Sequence, residues 1–130
     1  MPDESRNTVR ILEGDNSDPS IIRQGDCYYL VHSSFVYTPG LVVYKSYDLV
    51  NWRPCSIALD KFTGDVWAPD ITVYDDRFYI YFPTLSEHGK TSMVTWADNP
   101  SGPWSEPVDL KVDGIDPEHV VDENGRRYLL

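Results

Sequence analysis

Short apolar runs alternate with polar turns along the whole chain, and no stretch sustains an apolar period of 3.6 residues. That pattern predicts strands and almost no helix. In the first part, strands are expected near Ser20–Arg23, Cys27–Ser33, Leu41–Ser46 and Trp52–Ser56. Gly25-Asp26, Pro39-Gly40 and Asp48 separate them. Each is a turn former for its own reason: glycine admits left-handed backbone, proline presets φ, and aspartate bonds to nearby backbone amides.

The same series then recurs. Asp18-Pro19-Ser20-Ile21-Ile22 leads through Gly25-Asp26 to Tyr28-Tyr29-Leu30, and Ala68-Pro69-Asp70-Ile71-Thr72 leads through Asp75-Asp76 to Phe78-Tyr79-Ile80. Asp116-Pro117-Glu118-His119-Val120 leads through Asn124-Gly125 to Tyr128-Leu129. Tyr29, Tyr79 and Tyr128 fall 50 and then 49 residues apart. Leu41–Tyr44 with Trp52, and Ser92–Trp96 with Trp104, repeat the second half of the unit. Four antiparallel strands per repeat of this size mark a β-propeller blade. An ordinary β-sandwich also has evenly spaced strands, but the repetition of whole four-strand units with matched tryptophans favours the propeller. Blade 1 is expected over about 15–60, blade 2 over about 64–110, and the start of blade 3 over about 114–130. A ring takes about four to eight blades. The 130 residues are therefore expected to be the N-terminal part of one propeller domain.

Composition narrows the function. The chain has 21 acidic and 11 basic side chains, for a formal charge of −10. No Lys/Arg cluster suits a phosphate backbone, which excludes nucleic acid as the expected partner. No apolar run approaches the roughly 20 residues that span a bilayer. The polar opening Met1–Asn7 does not resemble a secretory leader. Cys27 and Cys55 are too few for a disulfide framework and are expected as free thiols. A cytoplasmic location is the expectation, with secretion as the open alternative. Neutral ligands such as sugars fit this charge better than anions do.

The residue–Pro pairs open the innermost strand of each blade, so the residues before proline, Asp18, Ala68 and Asp116, should converge on the axis. Asp-Pro by itself is a common turn opener. Its repetition in register from two blades instead suggests a pair of carboxylates suited to acid–base chemistry.

These motifs, together with Asp48-Leu49-Val50-Asn51-Trp52, Trp67-Ala68-Pro69-Asp70, Gly102-Pro103-Trp104-Ser105 and Ile115-Asp116-Pro117, resemble glycoside hydrolase family 43. The resemblance runs from about Asp15 to Leu130 and keeps the motifs in order. It implies an all-β, five-bladed β-propeller that hydrolyses glycosidic bonds of xylo- and arabino-oligosaccharides with inversion. It assigns Asp18 as the general base that activates water and Asp116 as the carboxylate that raises the acid's pKa and helps orient the sugar. The general acid, a Glu of the fourth blade, has no match in this sequence, so these residues alone are expected to be inactive. Glu118 shares its strand with Asp116 and cannot flank a sugar from the opposite side, so it is not taken as that acid.

The resemblance also makes Trp67 and Phe35 walls of the sugar pocket, while a blade-packing role remains the alternative for Trp67. Asp70 could bond sugar hydroxyls or a neighbouring blade's backbone. His32, His88 and His119 lack metal-ligand spacing, and no cofactor is expected. The segment Tyr28–Phe35 with Pro39-Gly40 is closer to the xylosidase and arabinofuranosidase branch than to endo-arabinanases. The competing reading is a non-catalytic carbohydrate-binding propeller or an inactive remnant.

Overall fold

The computed structural model describes residues 8–130, and the opening Met1–Asn7 lies outside them. Among the described residues there is no helix, and eleven strands form. The first sheet is an antiparallel meander of β1 (Ser20–Gln24), β2 (Cys27–Val31), β3 (Gly40–Ser46) and β4 (Arg53–Leu59), in that order. A short β5 (Asp65–Val66) comes next in the chain. The second sheet is built on β6 (Asp70–Tyr74), β7 (Arg77–Ser86), β8 (Gly89–Ala97) and β9 (Val108–Asp109), with β5 paired to the far end of β7. The hairpin of β10 (His119–Val121) and β11 (Arg127–Leu129) begins the third sheet. The two four-strand units and the opening of a third match the repeat in the sequence.

Turn chemistry explains the hairpins. Asp75 and Asp76 both take positive φ, 51° and 57°, between the paired Tyr74 and Arg77. Two left-handed residues make a type I′ loop, whose twist matches the flanking strands. At β3–β4, Asp48 gathers the turn. One carboxylate oxygen accepts the amides of Val50 at 2.9 Å and Asn51 at 2.7 Å, and the other accepts the Asn51 side-chain amide at 2.7 Å. The backbone amide of Asn51, then its side chain, holds Asp48 well below the usual carboxylate range. A depressed folded pKa means stability present above the unfolded value near about 4 and lost as pH falls through the folded one. Asp48→Asn keeps the acceptor but not the ionisation. It is expected to flatten the fall in Tm on acidification below about pH 4, measured by thermal melts across pH.

The core lies between blades 1 and 2. Leu41 and Val43 from β3 join Ile80 and Phe82 from β7 in one cluster, all fully buried, and Tyr29 meets Phe78 edge-on with ring centroids 5.8 Å apart. β7 is covered on both faces. Phe78, Ile80 and Phe82 belong to the core shared with blade 1, while the alternate residues Tyr79 and Tyr81 are covered by Arg127 and His119 of blade 3. A strand with neighbours on both sides has little solvent face to offer.

Several boundaries differ from the sequence expectation. β4 continues to Leu59 because Ala58 and Leu59 are buried and Leu59 pairs with Gly40. β2 ends at Val31, after which Ser33 leaves the ladder to bond Ser17. β5 has no counterpart in the repeat. The two matched tryptophans also differ in role. The Trp52 indole donates locally to the Leu49 carbonyl at 3.0 Å, whereas Trp104 crosses to blade 1 and donates to Ser56 Oγ at 2.9 Å. Of the two, Trp104 packs against the core. Cys27 and Cys55 are free thiols, half-buried at its edge.

Candidate active site

The beginnings of β1, β6 and β10 lie side by side, because their first residues are stitched together. Ser20 Oγ accepts the Ile71 amide at 3.1 Å and donates to Asp70 Oδ1 at 3.3 Å. Asp70 Oδ2 accepts the His119 amide at 2.8 Å. The three innermost strands are thereby linked in the order blade 1, blade 2, blade 3.

Just before these strands, Asp18 and Asp116 both take a positive φ, 54° in each. Ala68, the equivalent residue of blade 2, is not among the residues with positive φ. Left-handed backbone costs an L-residue roughly 1–2 kcal/mol, although Asp tolerates it better than most. A residue before proline normally prefers extended backbone. Both aspartates are exposed, and each precedes the proline that leads into its strand. The Asp18 carboxylate is fixed by Ser33, which donates from Oγ to Oδ2 at 2.7 Å. Ser33 is itself fully buried, and its amide donates to the Ser17 carbonyl at 3.0 Å.

Phe35 and Trp67 stand beside this end of the sheet. Phe35 and Val66 exchange backbone bonds of 2.8 and 3.1 Å, an isolated bridge between blades 1 and 2. Trp67, next along, donates its amide to the Pro83 carbonyl at 3.2 Å. Phe35 also has positive φ, 49°, and both residues are partly exposed. Asp18 and Ser33 therefore meet where β1 begins and β2 ends, and Phe35, two residues after Ser33, is bridged to Val66, the residue before Trp67. Asp70 is deeper. Both of its oxygens face neighbouring blades, and burial pushes its carboxyl above the usual range against the pull of the His119 amide and the Ser20 hydroxyl. Asp70 makes the bond to a neighbouring blade's backbone, through the His119 amide.

His119 and Arg127 form a cluster that the motifs did not single out. His119 stacks on Tyr81 with centroids 5.6 Å apart and planes 3° apart, and its Nε2 accepts from Arg127 Nε at 3.0 Å. The guanidinium lies 4.3 Å from the Tyr74 ring centre and 4.7 Å from that of Tyr79, and it donates to Tyr81 Oη at 2.9 Å. Burial, then the Arg127 charge, lowers the His119 pKa, and Asp70 opposes them. The imidazole is thus kept neutral, as an acceptor must be. The signal was present in the repeat. Aligning Tyr128 with Tyr79 puts Arg127 where blade 2 has Phe78, and aligning the prolines puts His119 where it has Ile71. Two apolar junction positions have become an imidazole stacked on Tyr81 and a guanidinium over Tyr74 and Tyr79. His88 is exposed at the β7–β8 turn. Among the described residues no group of three or more His, Cys, Asp or Glu is placed to hold a metal ion.

Repeated antiparallel blades, with exposed carboxylates ahead of the first strands of two of them, define part of a β-propeller as the class. The family model for glycosyl hydrolases family 43 matches residues 8–130. A xylan 1,3-beta-xylosidase from Vibrio sp is 37% identical over 92% of this chain and 25% of its own length. A non-reducing end alpha-L-arabinofuranosidase from Bacteroides ovatus is 38% identical over 92% of this chain and 25% of its own. The crystal structure of a xylan beta-1,4-xylosidase from Bacillus halodurans C-125 superposes with a TM-score of 0.82 at 35% identity, covering 92% of this chain and 26% of that one. The chain belongs to glycoside hydrolase family 43. It is all-β and forms part of a propeller, and it spans about a quarter of the length of the curated relatives it matches.

Proposed function

We propose that this chain supplies the base side of an inverting glycosidase acting on xylo- or arabino-oligosaccharides. The observation that carries the reading is the matched left-handed backbone of Asp18 and Asp116, present at the two carboxylate positions and not at Ala68. Strained backbone in register ahead of two strands is a mark of functional positions. The Ser33 hydroxyl on Asp18 further supports it, since it holds one oxygen and aims the carboxylate.

In this mechanism Asp18 takes a proton from a water, and the water oxygen attacks the anomeric carbon. The bond to the leaving-group oxygen breaks as a carboxylic acid from a later blade donates its proton there. Inversion needs acid and base about 6.5–9.5 Å apart, leaving room for the water. The Asp116 carboxylate disfavours a second negative charge nearby and so keeps the acid protonated at neutral pH. Phe35 and Trp67 wall the sugar.

The test is hydrolysis of p-nitrophenyl β-D-xylopyranoside and α-L-arabinofuranoside by a propeller that carries this segment together with its remaining blades. Saturable, catalytic release of nitrophenol is expected. Saturable sugar binding with no release would replace the enzyme by a carbohydrate-binding propeller.

A further inference from the structure

We infer that Asp70 is a positioning residue that sets the spacing of Asp18 and Asp116, and does not contact the sugar. The inference rests on the reading of those two residues as the working carboxylates. Asp70 stands on the blade between them, and each of its oxygens is held by the strand that follows one of them. Oδ1 takes the hydroxyl of Ser20, two residues after Asp18. Oδ2 takes the amide of His119, three residues after Asp116. Ser20 in turn accepts the Ile71 amide, a second bond that locks β1 against β6. One short, rigid side chain thus bridges the innermost strands of three blades. His119 cannot drift from this bond freely, because its ring is stacked on Tyr81 and tied to Arg127.

The equivalent residues show what the position needs. Blade 1 places a hydroxyl there and blade 2 a carboxylate, and each accepts the amide of the residue one step along in the next blade. Of these two, only the blade 2 residue has a second acceptor oxygen, and it has a carboxylate-bearing blade on each side. Ala68, ahead of its own strand, carries no functional group. Blade 2 thus contributes the strut and no reacting carboxylate.

The consequence is a division of effects. Cutting the strut lets the beginnings of β1 and β10 shift relative to one another, and a displacement near 1 Å from a remote change can cost about a hundredfold in rate. The loss falls on kcat. It also weakens the repulsion that Asp116 exerts on the acid, so the alkaline limb of the pH–rate profile moves to lower pH.

The experiment measures kcat, KM and the pH profile of wild type, Asp70→Ala and Asp70→Asn in the complete propeller that carries this segment. Asp70→Ala is expected to lower kcat about a hundredfold with KM changed little, and to shift the alkaline limb to lower pH. Asp70→Asn can still accept the His119 amide through its oxygen and donate to Ser20 Oγ through its nitrogen. It is expected to stay within a few-fold of wild type with an unmoved profile. A residue that touched the sugar would instead raise KM in both variants, which overturns the inference. So does Asp70→Ala with wild-type kcat and pH profile. If Asp70→Ala does not fold, Ser20→Ala decides: the same shift of the alkaline limb with a smaller loss of kcat supports the strut, and an unchanged profile overturns it. A wild type that binds sugar and hydrolyses nothing is a failure of the enzymatic reading, separate from all of these.

Discussion

Asp18→Asn is expected to lower kcat by about a thousandfold or more, within the range of removing a general base, while the protein still folds. The variant is chosen for its backbone. Asp18 sits at φ 54°, which Asn tolerates better than Ala. Asn also preserves an oxygen for the Ser33 hydroxyl, so the 2.7 Å bond has a replacement. What it removes is the capacity to take a proton from water. Asp18 is exposed and belongs to no part of the core, so its loss should leave Tm within a few degrees of wild type. Asp18→Ala should lose the same activity with a further, modest loss of stability from left-handed alanine. Steady-state kinetics on an aryl xyloside, with a thermal melt beside it, checks both. Wild-type kcat in Asp18→Asn would remove Asp18 from the mechanism.

Asp116→Asn is the second large effect, and its signature is a change in pH dependence as well as a loss of rate. The acid acts protonated, and a neighbouring carboxylate raises its pKa because two adjacent negative charges repel. A neutral side chain at 116 lets the acid's pKa fall towards the ordinary glutamate value of about 4.3. Activity above the new pKa declines because the acid is already ionised, so the alkaline limb of kcat moves to lower pH. At a pH above both values, a pKa lower by about one leaves about a tenth as much protonated acid. A pKa lower by about two costs about a hundredfold at such a pH, and less where the wild-type acid is still largely protonated. Part of that loss should return when the assay is moved to lower pH. A uniform fall across the pH range, with the limb unmoved, would assign Asp116 to sugar binding and not to tuning the acid.

Much of the fold was written in the chain as repetition. The residue–Pro pair, the turn of Asp, Gly or Asn and the tyrosine strand recur because each blade must solve the same packing problem, and that recurrence located β1, β6 and β10 to within a few residues. The remainder was harder to read for identifiable reasons. β5 forms from a two-residue segment whose partner is the unusually long β7, and nothing local distinguishes it from a loop. Trp52 and Trp104 look equivalent in sequence, but it is Trp104 that reaches a neighbouring blade, because Ser56 lies opposite it. The candidate site was legible through Asp18 and Asp116, whose register shows in sequence while their left-handed backbone does not. The roles of Ser33, Ser20 and His119 depend on contacts between distant strands, most of them between blades, which periodicity within one blade cannot reveal.

The most direct measurement is the stereochemistry of the first product, followed by proton NMR as a β-xyloside is hydrolysed by a propeller carrying this segment. Activation of water by Asp18 predicts that α-xylose forms first and mutarotates later. If β-xylose forms first, the bond is replaced with retention, Asp18 is not activating water for a single displacement, and the assignment of both carboxylates fails.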